Sequence, residues 1–382
     1  MESVQDKKEF YLYQDIKERT GGEIYIGVVG PVRTGKSTFI KRFMDLLVLP
    51  NMEDSHERER ATDELPQSAG GKTIMTTEPK FVPKEAVEIK VGGEIPVKIR
   101  LIDCVGYMVD GAAGHLENDV ERKVKTPWFQ EEIPFTKAAE IGTHKVIHDH
   151  STIGIVVTCD GSFGDIPAGN YQAAEERTVE ELKKLGKPFV ILLNTTRPFS
   201  DSVRKMAEEK FGRYQVPVLP VNCEQLKKED ISMILEQILL EFPLIDVEFH
   251  MPSWVEMLPV EHPAKQEVIR KGKEMMEGFR VLRDVGNVKT DCEGPAVSRI
   301  KLEQVALNRG VVVYTVSMEE SGYYQMLSEL TGMELKDEYD LIGQLKELSA
   351  MQRQYGKVIR AMDAVRQKGY GMVLPEREEI TM

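Results

Sequence analysis

The amino-acid sequence predicts an α/β fold with a doubly wound sheet, followed by a smaller α+β domain. Three observations lead to this prediction. Short apolar runs rich in β-branched residues alternate with amphipathic helical segments through the first 243 residues. A glycine-rich loop joins one of these strands directly to a helix. Beyond Pro243 the alternation gives way to long charged helices and one hairpin, so we predict domains at residues 1–243 and 244–382.

The first elements are a polar helix within residues 1–20 and a strand at residues 24–29. The strand runs into GPVRTGKST, residues 30–38, which fits G-x-x-x-x-G-K-[ST], and a helical pattern follows at residues 38–47. In such loops backbone N–H groups surround phosphate oxygens, the lysine reaches the β- and γ-phosphates, and the next hydroxyl ligates Mg²⁺. The predicted nucleotide contacts in the loop are Gly30, Arg33, Thr34, Gly35, Lys36, Ser37 and Thr38.

A threonine-rich stretch follows the helix after the loop. Residues 51–67 are highly charged and lack an apolar stripe, which predicts a mobile excursion. Thr73, Thr76 and Thr77 come next, where P-loop NTPases of the GTPase-like (TRAFAC) class keep switch I. There a threonine hydroxyl completes the Mg²⁺ coordination and senses the γ-phosphate. We favour Thr76 and Thr77, with Thr76 as a metal ligand, over the alternative of an ordinary Ser/Thr turn.

The next predicted hairpin ends in a D-x-x-G pattern. Residues 86–91 alternate like an edge strand, and residues 97–102 run into Asp103 and Gly106. A carboxylate at this strand tip holds a Mg²⁺-bound water, and the glycine N–H meets the γ-phosphate. The candidate catalytic residues are therefore Lys36, Thr76, Thr77 and Asp103, the candidate metal ligands are Ser37, Thr76 and Asp103, and Gly106 is a further nucleotide contact.

Tyr107 stands where Ras-type enzymes carry the glutamine that orients the attacking water. A phenol does not replace the paired donor and acceptor of a glutamine amide. Another group must therefore position the water, with Thr76 or Thr77 as the candidates. From this departure we predict that hydrolysis is slow.

The loop that reads the base departs from the guanine-specific pattern. The chain continues with predicted helices at 133–150 and 171–185 and predicted strands at 153–159, 188–193 and 216–222. Asn194 takes the first position of N-K-x-D, but Thr195 replaces the lysine and Arg197 replaces the aspartate. That aspartate accepts the guanine N1 and N2 protons, and a cation accepts none. We therefore predict ATP as the nucleotide, with Asn194 among its contacts.

The second domain contains no catalytic motif that we can identify. Residues 263–285, 321–330 and 337–368 have helical spacing, and residues 297–316 read as a hairpin with Asn308-Arg309-Gly310 at its turn. Its methionines are typical of core and interface packing. These features predict an interaction domain.

Composition excludes several classes of protein. The net charge of −13 argues against a nucleic-acid backbone as the main partner. The N-terminal segment has no apolar signal region and no run approaches about 18 apolar residues, so neither a signal peptide nor a membrane-spanning helix is expected. Cys104, Cys159, Cys223 and Cys292 lack C-x-x-C spacing, which predicts small buried thiols in a reducing cytoplasm.

Five blocks of the sequence carry a resemblance to a known family. They are GGEIYIGVVGPVRTGKSTFIKRFM, DELPQSAGGKTIMTTEPKFVP, IRLIDCVGYMVDGA, TPWFQEEIPFTKAAEIGTHKVI and HSTIGIVVTCDGSFGDI. These blocks resemble the stage IV sporulation protein A family, the spore-coat morphogenetic ATPases of endospore-forming bacteria. By motif, Lys36 matches the family's Walker A lysine and Asp103 its Walker B aspartate. Thr76 and Thr77 match its sensor threonines.

The resemblance implies a GTPase-like P-loop ATPase that uses ATP and Mg²⁺ and has lost guanine specificity. Hydrolysis then drives a conformational change that permits self-polymerisation into the basement layer of the spore coat. The implied location is the mother-cell cytoplasm, at the forespore outer membrane, with a small amphipathic membrane-anchoring peptide and other coat proteins as partners. The family continues into a further C-terminal domain, whereas this sequence stops at Met382, so we expect either a truncated form of a longer protein or a chain without that domain.

Two other functions stay open on the sequence alone. A regulatory GTP-binding switch would require GTP to compete with ATP despite Arg197. A scaffold that binds nucleotide without turnover is compatible with Tyr107 in place of glutamine.

Overall fold

The computed structural model describes residues 4–66, 78–91, 95–112, 116–117, 120–287 and 294–373. The strands in these ranges are β1 (Glu23–Val29), β2 (Lys80–Val91), β3 (Ile95–Asp103), β4 (Leu116–Glu117), β5 (Val120–Glu121), β6 (Lys123–Thr126), β7 (Phe129–Pro134), β8 (Ile153–Cys159), β9 (Phe189–Asn194), β10 (Val218–Val221), β11 (Asp246–His250), β12 (Val297–Ala306) and β13 (Val311–Met318). The α-helices are α1 (Val4–Thr20), α2 (Lys36–Phe43), α3 (Ser55–Asp63), α4 (Phe135–Lys145), α5 (Gln172–Lys184), α6 (Asp201–Tyr214), α7 (Lys228–Leu240), α8 (Ser253–Glu256), α9 (Pro263–Met276), α10 (Glu320–Thr331) and α11 (Glu338–Lys368).

The main sheet has six strands in the order β10-β9-β8-β1-β3-β2. All pairs are parallel except β2 with β3, which is antiparallel at the edge. Every residue of β8 and β9 is buried, which explains why their sequences are almost wholly apolar. Because parallel strands end at the same edge, the loops after β1, β3, β8 and β9 meet there. The predicted mixed α/β sheet with a further domain is confirmed.

The apolar faces of several helices cover this sheet. Ile16 of α1 and Phe39 and Phe43 of α2 are fully buried, as are Leu182 of α5 and Ile238 of α7. α1 contacts β1 and β3, α5 contacts β8, and α7 contacts β9. The burial of these apolar residues positions the helices and thereby fixes the strand ends.

The segment predicted as a mobile excursion at residues 51–67 contains a helix, so that prediction was wrong. The Asp54 carboxylate caps α3 by accepting hydrogen bonds from the backbone N–H groups of His56 (2.7 Å) and Glu57 (3.1 Å). The helix buries only Ala61, which is why no apolar stripe reveals it. The capping residue was the signal for this helix.

Two predicted helices have different bounds in the structure. The one expected at residues 133–150 begins at Phe135, because β7 pairs with β6 just before it, and it ends in a π-helical turn, Val146–His150. The one expected at residues 263–285 ends at Met276, and a 3₁₀ helix follows at Leu282–Asn287. The predicted hairpin is present as β12 and β13, in a three-stranded sheet of order β11-β13-β12.

The chain divides into two compact units. Unit 1 comprises Met1–Glu248, Met275–Val288 and Glu303–Val313, and unit 2 comprises Phe249–Glu274, Lys289–Leu302 and Tyr314–Met382. Unit 1 contains the six-stranded sheet. In unit 2, Trp254 packs near Tyr323 with ring centroids 5.9 Å apart, and Phe249 stacks on Tyr314 at 5.6 Å. The domain boundary between residues 243 and 244 stays a prediction.

Candidate functional site

The glycine-rich loop lies between the end of β1 and the start of α2. Gly30 adopts φ +124°, and a Cβ there would lie 2.5 Å from the backbone oxygen of Val157 on β8. Gly35 adopts φ +98°, and a Cβ there would collide with the Asn194 amide nitrogen. Side chains rarely adopt these backbone angles, so the loop needs glycine at both positions for conformation and for space. The loop therefore lies closely against the ends of β8 and β9.

Lys36 is the first residue of α2 and its ammonium points into the loop. Nζ donates hydrogen bonds to the carbonyl oxygens of Pro31 (2.5 Å) and Gly30 (3.3 Å), and the residue is 5% exposed. Burial lowers the pKa of Lys36, while the nearby Cys104 and Asp103 act in the opposite direction. A buried ammonium enclosed by loop carbonyls is suited to exchange those acceptors for phosphate oxygens.

Ser37 and Asp103 meet at the carboxyl end of the sheet. Ser37 Oγ donates to Asp103 Oδ2 at 2.7 Å. Burial raises the pKa of Asp103, and the hydrogen bond from Ser37 opposes that rise. The parallel register places Asp103 beside Val28 of β1, close to the glycine-rich loop.

The second carboxylate oxygen of Asp103 indicates whether the site fits a metal ion. Oδ1 is buried and has no hydrogen-bond partner among the described residues. A hydroxyl beside an unsatisfied carboxylate oxygen fits Mg²⁺, which takes few protein ligands and completes its shell with phosphates and water. Within the described ranges no cluster of three or more His, Cys, Asp or Glu side chains forms an all-protein metal site. Ser37 and Asp103 thus fit an ion that arrives with a nucleotide.

Gly106 closes the site from the side of β3. It adopts φ +94°, and a Cβ there would lie 2.6 Å from Lys36 Nζ and would collide with the carbonyl oxygen of Gly30. The backbone of the D-x-x-G loop therefore runs directly against the phosphate loop. Position 106 therefore requires glycine, because its backbone angle is strained for other residues and the space around it excludes a Cβ.

Asn194 ties the base-side loops to the phosphate loop. Its side-chain Nδ2 donates to the Thr34 carbonyl oxygen at 3.0 Å, and Oδ1 accepts from the backbone N–H of Cys223 at 3.0 Å. The ends of β9 and β10 are thereby fastened to the loop after β1. This arrangement places Asn194 at the carboxyl end of the sheet, against the glycine-rich loop.

The residues after Asn194 differ in orientation. Thr195 is fully buried and donates from Oγ1 to Asp160 Oδ2 at 2.6 Å, while its oxygen accepts from the backbone N–H of Arg197 at 3.1 Å. A side chain held inward cannot lie over a base as a lysine at this position would. Arg197 itself is exposed. Sequence reasoning missed Asp160 and Cys223, whose contacts depend on loops that are far apart in the sequence.

Tyr107 turns into the protein. It is 2% exposed, its carbonyl oxygen accepts from the Val32 N–H at 2.9 Å, and the Arg177 guanidinium lies 4.4 Å from its ring centroid. Burial, with the Glu181 carboxylate beside the phenol, raises the pKa of Tyr107. Arg177 in turn donates to Glu140 at 2.6 Å. The side chain that replaces glutamine is thus part of the packing between the loop and α5.

The other predicted residues stand as follows. Thr34 is buried and its hydroxyl donates to the Pro31 carbonyl at 3.0 Å. Arg33 is exposed at φ +60°, and Thr38 is half-buried on α2. Thr73, Thr76 and Thr77 lie outside the described residues. Cys104, Cys159 and Cys223 are buried free thiols, as predicted, and Cys292 lies outside the described residues.

No helix within the part of the chain that the structure describes is both long enough and apolar enough to cross a membrane.

A mixed α/β sheet with a G-x-x-x-x-G-K-[ST] loop between β1 and α2, and a carboxylate at the end of β3, is the arrangement of a P-loop NTPase-like domain. Comparison with known families agrees. The model of the stage IV sporulation protein A ATPase domain matches residues 7–243, and the model of the middle domain matches residues 244–382. The chain belongs to the stage IV sporulation protein A family, which confirms the resemblance seen in the sequence.

The relatives are close over nearly the whole chain. The stage IV sporulation proteins A of Clostridioides difficile (strain 630) and Bacillus subtilis (strain 168) are 44% and 43% identical over 372 residues. Each match covers 97% of this chain and 76% of the relative. Among solved structures, a mutation variant of SsGBP is 15% identical with a TM-score of 0.30, over 62% of this chain and 63% of that chain, a likeness too low to define the fold.

Proposed function

We propose that this chain binds ATP with Mg²⁺, hydrolyses it slowly to ADP and phosphate, and uses hydrolysis to drive its own assembly during formation of the spore coat. The observation that carries the catalytic part is the 2.7 Å hydrogen bond between Ser37 Oγ and Asp103 Oδ2 within an intact phosphate loop. The family model of an ATPase domain supports it.

Each residue at the loop has a role in this proposal. Lys36 binds the β- and γ-phosphates, and the loop N–H groups surround their oxygens. Ser37 and Asp103 hold the Mg²⁺ ion, which when bound neutralises phosphate charge. The N–H of Gly106 contacts the γ-phosphate. Thr76 and Thr77, which complete the predicted set, act as metal ligand and sensor.

The choice of ATP over GTP rests on the loop after β9. Guanine recognition requires an acceptor at position 197, and the exposed Arg197 is a donor. The inward-facing Thr195 also removes the lysine that would cover the base. Because β2 and β3 form an antiparallel hairpin ahead of D-x-x-G, we assign the domain to the GTPase-like (TRAFAC) class with altered base specificity.

The cellular part of the proposal rests on family membership. The chain polymerises with itself into the basement layer of the coat, on the mother-cell side of the forespore outer membrane. A small amphipathic peptide and other coat proteins bring it there. The net charge of −13 supports the need for such a partner, because an anionic membrane surface repels an acidic protein.

Phosphate release from the 382-residue chain tests the catalytic part. We expect turnover with ATP, kcat/KM at least about tenfold lower with GTP, and a loss of about a hundredfold in Lys36→Ala. Lys41→Ala, an exposed lysine of the same helix, is the matched control and should match the parent. Equal turnover by Lys36→Ala and Lys41→Ala would contradict the assignment.

A nucleotide-held scaffold without turnover is the second candidate, and the burial of Tyr107 favours it. A buried phenol cannot contact a water molecule beside the γ-phosphate and orient it for attack. Equilibrium binding of ATP by the parent, measured together with phosphate release, separates the two functions. Binding that Lys36→Ala abolishes, with no phosphate release by the parent, would establish the scaffold.

A further inference from the structure

Helix α11 exposes a long apolar stripe. The helix has 31 residues, so it is about 46 Å long. Most of its large apolar side chains lie in solvent, with exposed fractions from 41% for Val358 to 57% for Met362, and Tyr339 in the first turn is 83% exposed. The large apolar side chains between these limits are Ile342, Leu345, Leu348, Met351, Tyr355, Ile359 and Val365. These exposures leave the stripe largely uncovered by the described residues.

The stripe repeats every seven residues. Leu341, Leu348, Tyr355 and Met362 are spaced by seven and take the a positions of four heptads. The d positions are Gln344, Met351, Val358 and Val365, with Leu341 and Gln344 half-buried. Leu345 and Ile359 take e positions beside the seam, and Ile342 takes a b position away from it. A repeat of about 3.5 residues keeps a seam facing a partner helix that winds around it, whereas a helix lying on a flat core follows a period of about 3.6. The pattern therefore indicates a helix as the occupant.

The sequence of α11 also indicates that the helix needs a partner. Gly343 and Gly356 lie in its interior, away from the a and d positions. Each glycine costs about 1 kcal/mol of helix stability relative to alanine. Helices in proteins owe most of their stability to packing of an apolar face, so α11 is expected to gain stability from a partner that covers its stripe.

We infer that α11 pairs with α11 of a second copy of this chain as an antiparallel coiled coil. In an antiparallel pair, a positions face d positions of the other helix. One register satisfies this along the whole stripe. Its pairs are Leu341 with Val365, Gln344 with Met362, Leu348 with Val358, and Met351 with Tyr355.

Charge complementarity selects the second copy and the antiparallel direction. In that same register the flanking Glu338 faces Arg366, and Asp340 faces Lys368, at both ends of the pair. The N-terminal half of α11 is acidic and its C-terminal half is basic. A parallel pair would place acidic ends together and basic ends together, which is unfavourable.

This inference deepens the self-assembly part of the proposed function, and it rests on the geometry of α11 alone. The experiments that test it measure self-association of the chain in the absence of nucleotide. A failure of ATP hydrolysis in Lys36→Ala therefore leaves the pairing intact, and a failure of pairing leaves hydrolysis in unit 1 intact.

Introduced cysteines report the direction of pairing. In a Cys292→Ser background, Leu341→Cys with Val365→Cys should form disulfide-linked dimers under mild oxidation, because the two positions face each other between copies. They are about 36 Å apart along one helix, so they cannot join within it. Leu341→Cys alone should stay monomeric in a denaturing gel. Efficient dimers from Leu341→Cys alone would overturn the antiparallel register.

Sedimentation of the full 382-residue chain reports the pairing itself. We expect a concentration-dependent dimer, and a dissociation constant at least about tenfold weaker in Leu348→Gln/Tyr355→Gln, which keeps polar helix-forming residues in the stripe. Ser349→Gln/Ala350→Gln lies on the opposite side of the helix and serves as the matched control. ATP turnover in both variants should stay within about twofold of the parent, which shows that the chain is folded.

Two outcomes would overturn the inference. One is a parent chain that sediments as a monomer at all concentrations, which would leave the stripe to a different protein. The other is a dimer that the Leu348→Gln/Tyr355→Gln variant weakens no more than the control variant does, which would place the dimer contact elsewhere.

Discussion

Gly106 decides how closely the D-x-x-G loop approaches the phosphate loop. Its φ of +94° is strained for any other residue, and an added Cβ would crowd Lys36 Nζ at 2.6 Å. Gly111 offers a comparison, because it has φ +88° but only the Asn170 amide nitrogen nearby, at 3.8 Å. Both glycines have a positive φ that other residues rarely adopt. An added Cβ would collide with neighbouring atoms at Gly106 and would find space at Gly111.

We therefore expect Gly106→Ala to lose at least about a hundredfold in ATP turnover, because the methyl group displaces the lysine that binds phosphate. Gly111→Ala carries similar backbone strain, about 1–2 kcal/mol, and should retain most of the activity. Steady-state phosphate release and thermal unfolding of both variants make the comparison. If Gly111→Ala lost as much turnover as Gly106→Ala, backbone strain alone would account for the loss.

The charges at the loop have a common physical cause. Burial lowers the pKa of Lys36 and raises the pKa of Asp103, so each group is less favoured in its charged form than in water. A bound nucleotide with its ion supplies the opposite charges that both groups lack. Such a site is expected to bind the pair of ligands together better than either one separately.

At the scale of the elements, Lys187 holds the end of the helix that precedes β8. Its Nζ donates to the carbonyl oxygens of Ile147 (2.5 Å), Ser151 (2.6 Å) and His148 (3.0 Å). These carbonyls lie at and just after the π-helical turn that follows α4. A cation at a helix C-terminus satisfies acceptors that the helix leaves without partners.

Lys187→Ala should lower the free energy of unfolding by about 1–2 kcal/mol, because three charge-assisted hydrogen bonds are lost, two of them partly buried. Urea unfolding followed by circular dichroism measures the change. Lys184→Ala removes an exposed lysine from the last turn of α5 and should change stability by less than about 0.5 kcal/mol. Equal effects of the two substitutions would show that Lys187 contributes no more than a surface charge.

The elements also show what the sequence could predict. β8 and β9 are continuous apolar runs and the phosphate loop has a fixed spacing, so local patterns were sufficient for them. The contact of Asn194 with Cys223 joins two loops that only the folded sheet brings together, and no local pattern encodes it. The helix α3 was missed because it buries one alanine and is otherwise polar.

At the scale of the whole molecule, unit 1 is built from separate stretches of chain. The stretch Met275–Val288 returns to it from beyond the predicted boundary at residue 243. Arg283 in this stretch pairs with Glu241 at 3.1 Å, donates to the Gln215 carbonyl at 2.9 Å, and lies over the ring of Phe211. A purely sequential division into domains could not anticipate these contacts, since they join residues from both sides of the boundary.

The pair of Glu241 with Arg283 gives unit 1 a pH dependence. Burial raises the pKa of Glu241 to about 7, although Arg283 acts to lower it. Because this folded-state pKa lies above the unfolded value near 4.5, Glu241 contributes stability below about pH 4.5 that is lost as the pH rises through 7. Arg283→Ala removes the one effect that favours the charged carboxylate, so the pKa of Glu241 should rise further.

We expect Arg283→Ala to destabilise the chain by about 2 kcal/mol at pH 8 and by clearly less at pH 5, where Glu241 is protonated in the parent as well. Urea unfolding at both pH values measures the difference. Arg280→Ala, an exposed arginine of the same stretch, should show no such pH dependence. The same loss of stability at pH 5 and pH 8 would contradict this prediction. It would mean that Arg283 stabilises unit 1 by packing over Phe211 and not by pairing with the Glu241 carboxylate.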